Sequence, residues 1–279
     1  MSNRLSRTFR GWTTRTELHW RRMRDRYRAR HHPFFRHLTP PAVPLSLIRG
    51  RVAIDLEAAF VYYRIPKAAN STVTWSLYRT RGGAPEASID MAKGSAFAHP
   101  AELTPAQAEQ AVRRYRHFTV VRNPFTRVAS AYLDKIAGGE PQARRVARSL
   151  GCTPASLDFA RFLDYLEHGG GLYRNAHWAP QTALLPLPPE ALSFILYTEH
   201  LDRDLPALLH TLYPEREPIV ERYRHKQGSA GRDHRHRSRA GERLLELYDG
   251  PGLQERVARL YRRDFEALGY NPEQLPGAG

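Results

Sequence analysis

The pattern of apolar and polar positions changes character near residue 51. Before it, arginines mix with isolated aromatics and no period holds. After it, short β-branched or aromatic runs alternate with longer amphipathic stretches. "AAFVYYRI" predicts a strand, and "STVTWSLYRTRG" a helix opened by Asn70 or Ser71 and stopped at Gly82-Gly83. "SAFAHP" reads as a short strand. "TPAQAEQAVRRY" predicts a helix with Thr104 as N-cap, proline at its first position and Gln107 completing a capping box. "HFTVVRNP" is a strand with a buried-looking centre, followed by the helix "FTRVASAYLDKI". Residues 140–175 read as helical but irregular. "LSFILYTEH" is another strand, and "LDRDLPALLHTL" a helix interrupted or started afresh at Pro206. "ERLLELYDG" and "LQERVARLYRRDFEALGY" close the chain as amphipathic helices. Strands alternating with helices at this spacing predict an α/β fold with a parallel sheet and crossover helices.

A chain of 279 residues is one large domain or two small ones. The pattern is continuous and has no internal repeat, which favours one α/β domain over residues 51–279 behind a basic extension, residues 1–50. Within that extension "LTPPAVPLSLIRG" reads as a proline-rich linker. Residues 1–37 carry eleven arginines against Glu17 and Asp25, so they hold +9 of the chain's net charge of +15. Such a segment is either a solvated arm or a helix lying on an anionic membrane or polyanion. Trp12, Trp20, Tyr27, Phe34 and Phe35 keep no single helical face, which favours the arm.

Composition narrows the setting. Hydrophobic residues at 41% and charged residues at 25% are ordinary for a globular protein. No apolar run approaches the roughly 18 to 20 residues that span a bilayer, and the N-terminus has no secretory apolar core. The single cysteine, Cys152, excludes an intramolecular disulfide and a cysteine-built metal site, and fits a reducing compartment. The expected location is therefore cytoplasmic, with residues 1–37 as the means of any peripheral attachment to the inner face of the membrane. The basic balance favours anionic partners. Only four of the 43 basic residues are lysines: Lys67, Lys93, Lys135 and Lys226.

One of those lysines opens the candidate chemistry. "VYYRIPKAANSTVTW" has the form of a strand, a loop and a helix that holds an anion, yet lacks the glycine-rich Walker pattern. Backbone N–H groups at the helix start, the Lys67 ammonium, and the Asn70, Ser71 and Thr72 side chains are all donors to a phosphate or sulfate. "VVRNPFTRVASAY" supplies a second element, with Arg122 at a strand's carboxyl end and Ser130 in the next helix. Ligands of open α/β sheets bind at the carboxyl ends of strands, so both loops can face one cleft.

With these residues in view, "IPKAANSTVTW" resembles the 5′-phosphosulfate loop of sulfotransferases. "FTVVRNPFTRVASAYLDKI" is similar to their 3′-phosphate motif in the form of the Golgi carbohydrate enzymes, the chondroitin and HNK-1 type of sulfotransferase family 2. "NAHWAPQ", "FILYTEHLDRDLPALL" and "LYRRDFEALGY" extend the resemblance over roughly residues 58–270, in the expected order. The resemblance implies a P-loop-like three-layer fold with a central parallel sheet flanked by helices. Its sulfate donor would be 3′-phosphoadenosine 5′-phosphosulfate (PAPS). Lys67, Ala69, Asn70, Ser71 and Thr72 would then hold the 5′-phosphosulfate, and Arg122 and Ser130 the 3′-phosphate. Many members carry glycine or cysteine where this chain has Ala69-Asn70. The Golgi members' signal anchor and several cysteines have no counterpart in it, which suggests a bacterial relative.

Sulfuryl transfer is an in-line displacement governed by positioning and charge stabilisation, and it calls for no metal. Lys67 would neutralise the leaving bridging oxygen, and a histidine would take the acceptor's proton. His99, after the "SAFAHP" strand, and His177, in "NAHWAPQ", are equal candidates for that base. Trp178 and Gln181 are candidates to stack on and hydrogen-bond a sugar, and Glu199 to orient a neighbour or start a helix. The basic loop 224–239 is a linker or a lid, with Lys226, Gly228 and Ser229 as its candidate contacts. The expected acceptor is a carbohydrate or glycolipid, with no specific nucleic acid. Two other classes remain open: a P-loop nucleotide kinase, for which a Walker-B aspartate is missing, and a non-catalytic polyanion- or membrane-binding protein.

Overall fold

In a computed structural model, the described residues are Tyr27 and residues 31–39, 42–168, 171–221 and 246–276. Four strands form one sheet in the order β1 (Val52–Asp55), β2 (Phe60–Tyr63), β3 (Arg116–Val121) and β4 (Phe194–Tyr197). β2, β3 and β4 run parallel, as expected. β1 runs antiparallel to β2. The sheet is therefore mostly parallel, not wholly so. β1, "VAID", was not anticipated, and it ends in a charge, Asp55. That charge makes the return: Asp55 Oδ1 accepts the N–H groups of Glu57 and Ala58, each at 3.0 Å, turning the chain into β2. The expected "SAFAHP" strand reduces to one bridge, Ile54 to Ala98.

Period-two alternation explains the layers. Phe60, Tyr62, Phe118 and Val120 face α1 (Asn70–Thr80) through Val73 and Leu77. Val61 and Tyr63 face the opposite way, toward Ala108 and Ala111 of the helix Pro105–Arg114 and Leu184 of the short helix Gln181–Leu184. Between α1 and β3 lie α2 (Ile89–Gly94) and that first helix, α3. α3 starts with the predicted capping box on Thr104 and Gln107. After β3 come α4 (Pro124–Lys135), α5 (Pro141–Leu150), α6 (Phe159–Glu167) and the short helix, α7. α8 (Leu201–Leu212), α9 (Leu253–Leu260) and α10 (Arg262–Leu268) follow. α4 to α6, α9 and α10 share a second core around Phe125, Phe162, Trp178 and Phe265. α8 runs unbroken through Pro206, because Leu201, Leu205, Leu208, Leu209 and Leu212 pack it against the sheet.

The proline-rich stretch ahead of β1 is not a free linker. Phe34, Phe35, Leu38, Val43, Leu45 and Ile48 are buried in the same cluster as Val61 and Tyr63. Each buried phenylalanine there contributes about 1.5–3 kcal/mol, enough to fold short 3₁₀ turns onto the domain. The α/β body thus reaches back to about Phe34. Among the described residues no helix is long and apolar enough to cross a membrane. The arginine-rich residues 1–26 and 28–30 and the basic loop 224–239 lie outside the described residues.

Candidate active site

The carboxyl ends of β2 and β3 bring the two predicted loops together. Leaving β2, the chain passes Pro66 and puts Lys67 and Ala69 in the left-handed region, at φ 69° and 50°. Neither is glycine, so both positions carry backbone strain. The expected cap at Asn70 or Ser71 gives way to Ala69, which has no capping side chain. Among the described residues none accepts a hydrogen bond from the N–H groups of Asn70, Ser71 or Thr72. Asn70 instead accepts from Thr74 through Oδ1. Thr72 stands half-buried in the first turn.

Three of the chain's four lysines converge on this loop. Lys67 Nζ donates to Asp134 Oδ2 at 3.1 Å, and Lys135 Nζ lies 3.2 Å from the same oxygen. Lys93, at the end of α2, donates to Ser71 Oγ at 2.8 Å. The fourth, Lys226, is outside the described residues. Burial alone would raise the Asp134 carboxyl's pKa, but Lys67 and Lys135 outweigh it and hold it well below the usual carboxylate range.

Arg122 joins the two loops. Its Nη1 donates to the Lys67 carbonyl at 3.3 Å and its Nε to Thr126 Oγ1. Burial pushes its guanidinium pKa down, while Glu199 and Tyr270 work the other way. Glu199 does orient a neighbour: it accepts the Asn123 N–H at 2.8 Å and the Tyr270 hydroxyl at 3.0 Å. Ser130 sits half-buried two turns along α4. Beneath them lies Arg127, 1% exposed, donating to the carbonyls of Pro66, Ala176 and Ala179 at 2.8–3.1 Å. One cation thus ties the Lys67 loop, α4 and the "NAHWAPQ" segment into a single unit.

That segment fixes the His177 ring through Asn175. Asn175 Oδ1 accepts both the His177 backbone N–H, at 3.0 Å, and the ring Nδ1, at 2.8 Å. The backbone bond fixes which end of the amide is oxygen, so Nδ1 carries the proton and Nε2 keeps its lone pair. Burial pushes His177 down, and Lys135, Arg51 and Lys67 push it further, to about 3, against the opposing pull of Asp134. The sugar-contact roles expected of its neighbours do not hold. Trp178 is buried between Phe162 and Tyr165 and donates to the Gly171 carbonyl. Gln181 is fully buried, with its side chain clamping the Arg122 backbone and its N–H donating to Asp264.

His99 lies apart from this cluster. Its Nε2 is 3.2 Å from the Gly94 carbonyl, and its buried Nδ1 has no hydrogen-bond partner among the described residues. It lines an open cleft of about 1040 Å³ together with Arg49, Arg51, Arg64, Asn70 and Lys93. Lys93, which donates to Ser71, and Asn70, which opens α1, connect this cleft to the Lys67 loop.

Sequence reasoning missed Asp134, Lys135, Arg127, Asn175 and Arg51. The scarcity of lysine was a usable signal for Lys135 and Lys93. Nothing along the chain links Asp134 to Lys67, which only the fold brings together. Among the described residues no group of three or more His, Cys, Asp or Glu could hold a metal ion.

An α/β sheet whose adjacent strand ends gather ammonium groups, an arginine and a helix start without a capping side chain has the chemistry to hold an anion. The sulfotransferase family model matches residues 51–271, and the chain belongs to that family. It is also 27% identical over 191 residues to mouse carbohydrate sulfotransferase 14, across 62% of this chain and 50% of that protein. The chain thus spans about half the length of this curated relative. No solved structure matches it.

Proposed function

We infer that the protein transfers a sulfuryl group from PAPS to a carbohydrate hydroxyl. The observation that carries this reading is that Arg127 joins the Lys67 loop, which leads into a helix start without a capping side chain, to the segment that holds the tautomer-fixed His177. The Lys67 loop, with Ala69, Asn70, Ser71 and Thr72, would hold the 5′-phosphosulfate. Arg122 and Ser130 would hold the 3′-phosphate, which is the P-loop-like reading of the fold. The acceptor oxygen attacks sulfur, the bond from sulfur to the 5′-phosphate oxygen breaks, and Lys67 donates to that leaving oxygen. The acceptor's proton passes to His177 Nε2. His99, on the wall of the basic cleft, is better situated to touch the acceptor. The cleft's arginines and Lys93 suit a sugar bearing a carboxylate or sulfate, and the name of the mouse relative supports a carbohydrate.

Adenosine 3′,5′-bisphosphate, the spent donor, should raise the thermal midpoint, since a ligand selective for the folded state stabilises it. Lys67→Ala or Arg122→Ala should remove the shift. No shift at saturating ligand would overturn the donor assignment, and transfer of labelled sulfate to a glycan panel identifies the acceptor. A kinase would need a carboxylate free for magnesium, whereas Asp134 is held by two ammonium groups. A polyanion-binding protein using the arginine-rich arm would lose its activity on deletion of residues 1–30, while a sulfotransferase would keep donor affinity. That deletion spares Phe34 and Phe35, which are core residues.

A further inference from the structure

Arg122 stands between two regular elements. β3 ends at Val121, the last residue paired with β4, and α4 begins at Pro124. The Arg122 N–H and carbonyl fall in the gap, and a side chain holds them. Gln181 Oε1 accepts the Arg122 N–H at 2.9 Å, and Gln181 Nε2 donates to the Arg122 carbonyl at 2.8 Å. The amide thus pairs with Arg122 as a neighbouring strand would. One backbone group can only donate and the other only accept, so the orientation of the amide is fixed.

Gln181 is held in turn. Its own N–H donates to Asp264 Oδ2 at 2.7 Å, and Thr182 donates to Oδ1 of that buried carboxylate through its N–H and its hydroxyl, at 2.9 and 2.7 Å. The contacts run from α10 through the start of α7 to the end of β3. There they reach an arginine whose guanidinium bonds Thr126 and the Lys67 carbonyl. Gln181 is 0% exposed, so it cannot touch a ligand, and any effect it has on binding passes through Arg122.

We propose that Gln181 is a positioning residue that aims Arg122 at the donor's 3′-phosphate and so sets the site's preference for a 3′-phosphorylated nucleotide. The proposal rests on the assignment of the 3′-phosphate to Arg122 made above, and it gives a fully buried amide a part in donor selection.

The test compares two nucleotides that differ by that phosphate, adenosine 3′,5′-bisphosphate and adenosine 5′-monophosphate, by calorimetric titration. The wild type should bind the bisphosphate at least about tenfold more tightly, the low end of what a hydrogen bond to a charged group contributes. Gln181→Met keeps the length of the side chain without its polar end, and should bring the ratio down to that of Arg122→Ala. Gln181→Asn withdraws the amide by one methylene and should lower the ratio as well. This milder variant serves where Gln181→Met does not fold, and thermal midpoints without nucleotide identify the folded proteins. In an Arg122→Ala background neither change should alter the ratio further, because the two residues act as one unit. A glutamine with a structural role alone would weaken both nucleotides alike. Folded Gln181 variants that keep the wild-type ratio, or lower it equally with and without the Arg122 side chain, overturn the positioning role and leave the donor site standing. A wild type that binds both nucleotides equally, or keeps its preference in Arg122→Ala, overturns the 3′-phosphate assignment and this role with it.

Discussion

The helices that follow β2 and β3 begin in opposite ways. α4 closes its own start: Asn123 Oδ1 accepts the Phe125 N–H, Pro124 fills the first position, and Glu199 takes the Asn123 N–H. α1 begins from Ala69 in the left-handed region without a capping side chain. A missing cap costs about 1 kcal/mol, and a non-glycine left-handed residue roughly 1–2 kcal/mol. The two starts divide the work. The α4 start is rigid scaffold, and its helix delivers Arg127, Ser130, Asp134 and Lys135. Among the described residues the α1 start keeps its backbone donors unspent, and a bound anion would offset what the loop gives up.

The largest test of this division is Arg127→Met. It should destabilise the fold by about 3 kcal/mol, because three buried carbonyls lose their donor at once. Chemical denaturation measures this, and a loss under 1 kcal/mol would mean that the Lys67 loop and α4 are not joined through that side chain.

Acid sensitivity comes next. His177 binds a proton near pH 6.5 in the unfolded chain but only near 3 in the fold, so between those values the unfolded state holds more protons. Stability should therefore fall on acidification through that window, with a slope approaching about 1.4 kcal/mol per pH unit from this group. His177→Gln should remove that share of the slope. If stability-against-pH curves of the two proteins run parallel from pH 6.5 to 4, the ring is not buried among those cations.

Capping separates the two helix starts directly. Asn123→Ala should cost about 1 kcal/mol, whereas Ser71→Ala should leave stability nearly unchanged and weaken bisphosphate binding. Equal stability losses would erase the distinction. The smallest effect belongs to Ala69→Gly, which relieves the strained φ and should gain up to about 1 kcal/mol without tightening the ligand. A loss of stability there would show that the alanine methyl packs usefully in the loop.

Much of this frame was legible along the chain, and the reasons are local. β2 and β3 read as strands because both their faces are buried, and α3 announced its start through Thr104 and Gln107. Lys67 and Arg122 stood out at strand ends. Trp178 and Gln181 misled, since aromatic and amide groups beside a candidate base suggest a sugar. Their neighbours in space are instead Phe162, Tyr165, Asp264 and the Arg122 backbone, all distant in sequence. Phe34 and Phe35 misled in the other direction, because arginines around them hide a core contribution.

The sequence by itself determined β2, β3 and β4, the helices that follow them and the two loops at strand ends. Those depend on periodicity, turn residues and the chemistry of single side chains, all short-range. Tertiary structure alone decided that Asp134 meets Lys67, that Asn175 fixes the His177 tautomer, and that β1 returns antiparallel. It also tied the His177 segment to the Lys67 loop through Arg127, a contact that no spacing along the chain encodes.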